Sequence, residues 1–332
     1  MAIRSNRLRI PNLYFENFTI ICLISSADEI RRMSKQTFLD ISSKVRYIRR
    51  ILYHRWQRQP RVCPYCGPTS IVKLAQRKKM IVEILQCQTC RLWFRWPADT
   101  PNEHDSYYQA EFAGDAPQII LPGSDELRLL ENTNFSGSPL DINNKVRVLH
   151  ALCPGGRVLD FGCSWGYGTY QLRRHGFDAV GFEISRPRAE FGRTKLGLNL
   201  IDSFDELAEL RAGSFDIVFS NHVVEHLPNI GTAFAMLTRL LKENGFVFHI
   251  LPNFIGKKAK SGYWLKWIGE DHPIAPAMPF FEFAIPRAGL TKPVFGSDPF
   301  DEQMARALID HPSASLSTDG DELLVYAHKR VP

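Results

Sequence analysis

Short apolar runs alternate with amphipathic helical patterns through the second half of the chain. The strand-like runs are Val158–Phe161, Ala179–Phe182, Ile217–Ser220, Phe246–Leu251 and, last, Leu323–His328. The helix-like runs between them are Thr169–His175, Pro187–Leu196, Phe204–Leu210 and Ala233–Leu241. Such alternation predicts an α/β fold with a doubly wound, mostly parallel sheet.

A different pattern occupies the N-terminal part. Residues 34–58 place apolar side chains three and four positions apart with basic side chains mostly elsewhere, which predicts an amphipathic basic helix. Such a helix packs on its own domain or lies on a surface, including a membrane interface. The preceding apolar run Phe18–Ile24 is shorter than the roughly 20 residues that span a bilayer, and no small-residue cleavage site follows it. We therefore expect a cytoplasmic protein. Residues 1–32 differ in character from the rest, and Met33 is a plausible start.

Four of the seven cysteines form two Cys-x-x-Cys pairs that are 20 residues apart. They are Cys63, Cys66, Cys87 and Cys90. Two such pairs close a tetrahedral site of four thiolates, and because no position stays open we expect a structural Zn²⁺. No βαβ pattern surrounds either pair, which disfavours a thioredoxin-like redox role. Strand-like runs at Ile71–Leu74, Met80–Leu85 and Leu92–Trp96 complete a zinc ribbon, a unit too small to fold without its metal.

Charge divides the chain unevenly. Residues 1–95 hold 19 Lys and Arg against 5 Asp and Glu, a net charge of +14, and the remainder has a net charge of −8. A basic N-terminal third favours an anionic partner such as nucleic acid, a membrane surface or an acidic substrate, or else forms a solvated arm. We expect a basic arm and helix at 1–60, the zinc ribbon at 61–100, a connector or lid at 101–145 and the α/β domain at 146–332.

The first strand of the α/β domain leads through glycines into a helix. Gly162, Gly166 and Gly168 allow a tight turn whose backbone N–H groups face a ligand, as in nucleotide sites. The order G-x-x-x-G-x-G differs from the dinucleotide pattern G-x-G-x-x-G. Asp160 precedes the turn, and Glu183 ends the next strand, where a carboxylate accepts hydrogen bonds from ribose hydroxyls. These carboxylates favour a cationic nucleoside, S-adenosylmethionine, over a dinucleotide.

Four separated segments resemble the class I S-adenosylmethionine-dependent methyltransferases, which implies a seven-stranded Rossmann-like sheet. They are Leu159–Gly166, Val180–Glu183, Phe215–Leu227 and Leu240–Phe246. Ser164 stands where many members have glycine. The preceding ribbon, with Cys63-Pro-Tyr-Cys-Gly67 and the pair Tyr107-Tyr108, resembles bacterial methyltransferases that often act on sugars or surface-glycan precursors and in some cases on other small metabolites.

The resemblance assigns roles to individual residues. The cofactor contacts it implies are Asp160, Gly162, Cys163, Ser164, Gly166, Glu183, Ile184, Asp202 and Asn221. The candidate general bases are the histidines His222, His226 and His272 together with Glu225, although Glu225-His226 has an alternative role in bracing the following helix and loop. Four aromatic residues either close over the acceptor or simply pack: Tyr107, Tyr108, Tyr263 and Trp264.

The sequence thus predicts methyl transfer to a small molecule, foremost a sugar or glycan precursor. An RNA methyltransferase that uses the ribbon and basic arm is the alternative, although Ser220-Asn-His-Val223 replaces the Asn-Pro-Pro-Tyr-type motif that serves a flipped-out base amine. A non-catalytic binding module that retains the fold is the second alternative.

Overall fold

The computed structural model describes residues 35–111, 120–256, 263–310 and 316–330, and the side chains of all of these except 35–43, 110–111 and 263–264. The chain divides into two compact units, residues 1–50 and 51–332. The expectations for residues 1–32, including Phe18–Ile24, and for Met33 lie outside the described residues.

The predicted basic helix is present as α1, Lys35–Trp56. Among the described helices, none has the length and apolar character needed to cross a membrane. Near its end, the His54 ring is hydrogen-bonded through Nε2 to the Glu103 carboxylate at 2.9 Å. This contact links the last turns of α1 to the start of the connector.

An antiparallel sheet of four strands contains the cysteine pairs at its turns. Its strands are β1 (Val72–Lys78), β2 (Val82–Cys87), β3 (Trp93–Trp96) and β9 (Ile274–Ala275), in the order β1-β2-β3-β9. The first three strands match the predicted ribbon. The fourth comes from almost 180 residues further along the chain and pairs Phe94 with Ile274.

The second sheet has seven strands in the order β10-β11-β8-β7-β4-β5-β6. They are β4 (Arg157–Phe161), β5 (Asp178–Phe182), β6 (Leu200–Ile201), β7 (Phe215–Asn221), β8 (Leu241–Pro252), β10 (Val294–Ser297) and β11 (Glu322–His328). Strands β4 to β8 pair in parallel, and β11 and β10 add antiparallel strands at one side. The predicted α/β fold with a mostly parallel seven-stranded sheet is confirmed.

The described helices after α1 precede β4 or connect the later strands along the chain. After α1 they are α2 (Pro101–Ser106), α3 (Ser124–Asn132), α4 (Asn143–Leu152), α5 (Tyr167–Arg174), α6 (Arg186–Leu196), α7 (Phe204–Glu209), α8 (Ile230–Leu240), α9 (Met278–Arg287) and α10 (Glu302–Asp310). One-turn helices occupy Tyr107–Glu111, Val224–His226 and Tyr263–Lys266. One core cluster packs α4 and α10 against the sheet, with Val146, Phe248 and Leu308 buried in it.

Strand order determines where a ligand fits. Strand β4 pairs with β5 on one side and with β7 on the other, so the chain connections diverge to opposite sides at β4. In open parallel sheets this switch point leaves a crevice at the carboxyl ends of the strands. Phe161, Phe182 and Asn221 are the last residues of these three strands.

Candidate active site

A cavity of about 810 Å³ opens at the carboxyl ends of β4, β5 and β7. Its lining combines apolar and ionisable side chains from the seven-stranded sheet, the connector and the loop before β9. Known ligand pockets have volumes of about 300–1,000 Å³, so a nucleoside and a small acceptor fit together in this volume.

The glycine turn forms the floor of the cavity, and its backbone excludes larger residues. Gly162 has φ +81°, and a Cβ built on it would come within 2.4 Å of Val223 Cγ2. Gly166 has φ +92° as the N-cap of α5, and its built Cβ would lie 2.5 Å from Leu198 Cδ1. Ser164, which replaces the more usual glycine, takes φ +51°. The turn therefore brings bare backbone to the cavity.

The Glu183 side chain is held in place just after the carboxyl end of β5. Its Oε2 accepts the backbone N–H of Ser164 at 2.9 Å, and its Oε1 accepts that of Ser185 at 2.8 Å. Burial raises the pKa of Glu183, and the two backbone donors oppose that shift. Each carboxylate oxygen retains a second lone pair, so the group can accept two further hydrogen bonds from a ligand in the cavity.

Five of the nine predicted cofactor contacts line the cavity. They are Gly162, Ser164, Glu183, Ile184 and Asn221. The other four lie outside its lining. Gly166 and Cys163 belong to the turn itself, and Asp202 accepts a hydrogen bond from Arg193 at 2.8 Å.

Asp160 lies beneath the turn. Its Oδ2 accepts the Thr169 hydroxyl hydrogen at 2.7 Å, which ties β4 to α5. Burial raises the pKa of Asp160 to about 7, partly offset by the Thr169 hydrogen bond. Any influence of Asp160 on a ligand would therefore act through the backbone that it braces.

A polar network lies at the end of β7, and the sequence analysis missed two of its members, Lys145 and Glu322. Lys145 Nζ donates to Asn221 Oδ1 at 2.8 Å and to Glu322 Oε1 at 2.7 Å. Glu322 Oε1 also lies 2.6 Å from His222 Nε2. Burial disfavours the charged forms of both Glu322 and His222. The interactions of Glu322 with His222 and Lys145 nevertheless lower the pKa of Glu322 to about 2. The carboxylates of Glu225 and Glu322 raise the pKa of His222 to about 9 against the effect of its burial.

All three histidines that were predicted as bases, His222, His226 and His272, line the cavity. The raised pKa of His222 makes it a cation at neutral pH. The imidazole of His226 is neutral, because burial lowers its pKa to about 4. The rings of His226 and His272 lie 4.7 Å apart between centroids, and one ligand atom from each lies within 4.8 Å of a Glu225 oxygen.

Aromatic residues of the connector form part of the acceptor side. Tyr108 lines the cavity, and its ring meets that of Tyr107 edge-on at 5.3 Å between centroids. The Tyr107 hydroxyl donates to the Asp271 carboxylate. Closure of the pair over an acceptor, as opposed to simple packing, stays a prediction. The side chains of Tyr263 and Trp264, which carried the same prediction, lie outside the described residues.

The four predicted metal ligands converge in the ribbon. Cys63 Sγ lies 3.6 Å from Cys90 Sγ, and Cys87 Sγ lies 3.8 Å from Cys66 Sγ. A tetrahedral zinc ion with Zn–S bonds of about 2.3 Å holds its sulfurs about 3.8 Å apart. The four thiols therefore fit a zinc ion without rearrangement of the backbone.

The ribbon also supports one wall of the cavity. Besides the pairing of β3 with β9, Arg95 donates its backbone N–H to the Pro273 carbonyl at 2.9 Å. Lys78 Nζ donates to the carbonyls of Lys266 at 2.6 Å and Ile268 at 2.8 Å. Lys266 and His272 line the cavity, so the small sheet holds one segment of the cavity wall.

Residues 141–282 match the family model described as Methyltransferase domain. These residues form a methyltransferase domain. The match includes the glycine turn, Glu183 and the histidine cluster at Glu225, and leaves out the ribbon strands β1 to β3 and Glu322.

Curated relatives resemble the methyltransferase domain over part of their length. A ubiquinone biosynthesis O-methyltransferase of Nitrosococcus oceani is 36% identical over 132 residues, which are 38% of this chain and 54% of that protein. The enzyme of the same name from Methylococcus capsulatus is 28% identical over 151 residues, 40% of this chain and 62% of that protein. The chain thus spans little more than half of these relatives.

Among solved structures, the chain is similar to a SAM-dependent methyltransferase from Archaeoglobus fulgidus. The alignment has a TM-score of 0.45 and 18% identity, and it covers 61% of this chain and 99% of that one.

Proposed function

We propose that the chain transfers a methyl group from S-adenosylmethionine to the hydroxyl of a small-molecule acceptor. The observation that carries the proposal is Glu183, held by the backbone of Ser164 and Ser185 with two lone pairs left for the hydroxyls of a ribose. The methyltransferase domain and the cavity beside the glycine turn support it.

The cavity offers a partner for each part of the cofactor. Glu183 would bind the ribose, and Ile184 and Phe204 would pack against the adenine. Lys145, a partly buried cation beside Asn221, would pair with the carboxylate of the methionine end. When bound, S-adenosylmethionine supplies an electrophilic methyl group on a positively charged sulfur. The leaving group is already good, so the work left to the chain is alignment of the acceptor and exclusion of water.

The acceptor would lie on the side of the histidine cluster. Tyr108 and Trp267 line this part of the cavity, and they would shield the reacting oxygen from bulk water. A hydroxyl acceptor must lose its proton during the transfer. Glu225, His226 and His272 are the groups placed to promote that loss, and His222 adds a positive charge that suits an anionic substituent of the acceptor.

We propose two classes of acceptor. The names of the curated relatives favour a phenolic hydroxyl, as in a quinone precursor, and the ribbon resemblance favours a sugar or glycan precursor. The cavity wall supplies the polar groups that either class needs. We also propose that the four cysteines bind a structural zinc ion that stabilises the ribbon.

Transfer of labelled methyl groups tests this function. The zinc-loaded full chain is incubated with methyl-labelled S-adenosylmethionine and, separately, with catechols, with nucleotide sugars and with total RNA. We expect label in one of the two small-molecule classes. Label confined to RNA would instead establish the RNA methyltransferase alternative, and binding of the cofactor without transfer to any of the three substrates would support a non-catalytic module.

A further inference from the structure

Glu225 is a buried carboxylate whose described neighbouring side chains do not form hydrogen bonds with it. Its side chain is 0% exposed, and neither oxygen has a hydrogen-bond partner within the described part of the chain. His222 Nδ1 and His226 Nε2 are its nearest cationic or polar neighbours, at 3.6 and 3.9 Å from Oε1. Both distances exceed those of hydrogen bonds, and a buried charge without such bonds costs several kcal/mol, of order 3–5. His222 supplies a positive charge at 3.6 Å, but its short contact of 2.6 Å is with Glu322, so both oxygens of Glu225 keep lone pairs that a further ligand can use.

In two histidines beside Glu225, the ring nitrogen Nδ1 lies close to a backbone carbonyl and carries a proton. His226 Nδ1 lies 2.6 Å from the Asp271 carbonyl, and His272 Nδ1 lies 3.3 Å from the Trp267 carbonyl. A carbonyl only accepts, so each Nδ1 carries a hydrogen, and in the tautomer with a single ring hydrogen Nε2 carries the lone pair. Histidines that ligate metals are anchored in this way, with the second ring nitrogen donating to a carbonyl or carboxylate.

We propose that Glu225, His226 and His272 bind one divalent metal ion of the Mn²⁺, Fe²⁺ or Zn²⁺ class at the acceptor side of the cavity. One ligand atom from each residue lies within 4.8 Å of the others. Metal–ligand bonds of about 2.0–2.2 Å require separations of about 3–4 Å, so the three side chains need to move inward by less than about 1 Å. Two imidazoles and one carboxylate suit these ions and leave coordination positions open.

The consequence for catalysis rests on the proposed function. An acceptor hydroxyl on the open positions would have its pKa lowered by the ion, and its O–H bond would break with the proton passing to water in the cavity. The oxygen would stay on the metal as an anion until it attacks the methyl carbon, whose bond to sulfur then breaks and releases the thioether S-adenosylhomocysteine. His226 and His272 would then act as ligands, and neither would serve as the proton acceptor.

Binding of Mn²⁺ to the zinc-loaded chain tests the site, with the electron paramagnetic resonance signal of free Mn²⁺ as the readout. Four thiolates in the ribbon are poor ligands for Mn²⁺, so the ribbon does not compete. We expect one Mn²⁺ per chain with micromolar affinity, and a loss of about 10-fold or more in Glu225→Gln and in His272→Gln. The matched control is His150→Gln, an exposed histidine outside the cavity, which should bind as the parent does. Zinc content is measured in each sample.

Two results would overturn the site. The first is no uptake of Mn²⁺ by the folded parent at a chain concentration of about 100 µM, which is an order of magnitude above the expected Kd. The second is equal uptake of Mn²⁺ by the parent and both variants. If Glu225→Gln does not fold, His272→Gln decides alone, since His272 is only partly buried. Cofactor binding and methyl transfer are measured on the same samples. Transfer without Mn²⁺ uptake overturns the metal site and keeps the function, and uptake without cofactor binding does the reverse.

A second readout separates the metal from a structural role. With Mn²⁺ or Zn²⁺ added, the pH at which kcat/KM reaches half its maximum should differ between the two metals, because they acidify a bound hydroxyl to different extents. The same midpoint with both metals would contradict activation of the acceptor by the ion.

Discussion

His226 donates its Nδ1–H to the backbone carbonyl of Asp271 across 2.6 Å. The bond connects the loop after β7, in the methyltransferase domain, to the segment that enters β9 of the small sheet. The acceptor side of the cavity is therefore built from both sheets, and the ribbon contributes to the site although none of its described residues lines the cavity.

This arrangement predicts that Lys78→Met impairs use of the acceptor without loss of the cofactor. Lys78 Nζ donates to two carbonyls next to the cavity wall, at 2.6 and 2.8 Å. Loss of these bonds should loosen the wall and raise the acceptor KM about 3- to 10-fold, the scale of one typical net hydrogen bond. The S-adenosylmethionine Kd should not change. Lys79→Met, at the exposed neighbouring position, is the control. Equal KM values for the two variants would contradict the supporting role.

The glycine turn gives a second prediction. Gly162→Ala would place a Cβ 2.4 Å from Val223 Cγ2 at a backbone φ of +81°. We expect S-adenosylmethionine binding to weaken at least about 10-fold, because both strain and the displaced Val223 distort the turn. Adding Val223→Ala should recover part of the affinity by relieving the contact, and the strain at φ +81° should prevent full recovery. No recovery in the double variant would show that the clash is unimportant.

Asp160 predicts a dependence of stability on pH. Its pKa is about 7 in the folded chain and about 3.9 when unfolded, so between these values the folded chain keeps a proton that the unfolded chain releases. Its contribution to stability therefore falls as pH rises from about 4 to 7. Asp160→Asn should raise the free energy of unfolding of the ligand-free chain at pH 8 by up to about 4 kcal/mol and change it little at pH 4.

Thermal unfolding midpoints of the parent and Asp160→Asn, measured at both pH values without ligand, check this prediction. A variant that is less stable than the parent at pH 8, or equally displaced from it at both pH values, would show that Asp160 is not held as a destabilised carboxyl.

Patterns local in sequence predicted most of the fold. The apolar runs at β4, β5, β7, β8 and β11 were long enough to identify, and the four cysteines indicated the ribbon without reference to any other part. Strand β6 has two residues and no periodic pattern. Strand β9 is equally short and exists only because β3 supplies its partner. Neither has a signature within its own sequence.

The same reasoning explains which site residues were found. Glu183 and His226 follow predicted strands, so their place at the cavity could be inferred from strand ends. Lys145 lies within a helix, and Glu322 begins a strand about 100 residues after His222. Both reach the cavity only through tertiary packing, since β11 pairs with β8 beside β7. The spacing of charged residues along the chain does not reveal such a contact.

Calorimetric titration of the zinc-loaded chain with S-adenosylmethionine tests the central claim most directly. The account predicts one site per chain with a micromolar Kd. Glu183→Gln should weaken it by about 10- to 100-fold, the cost of leaving ribose hydroxyls poorly paired. Glu190→Gln, at an exposed position on α6, should bind like the parent. Absence of binding to the folded parent, or equal affinity in parent and Glu183→Gln, would contradict the assignment of this cavity to the methyl donor.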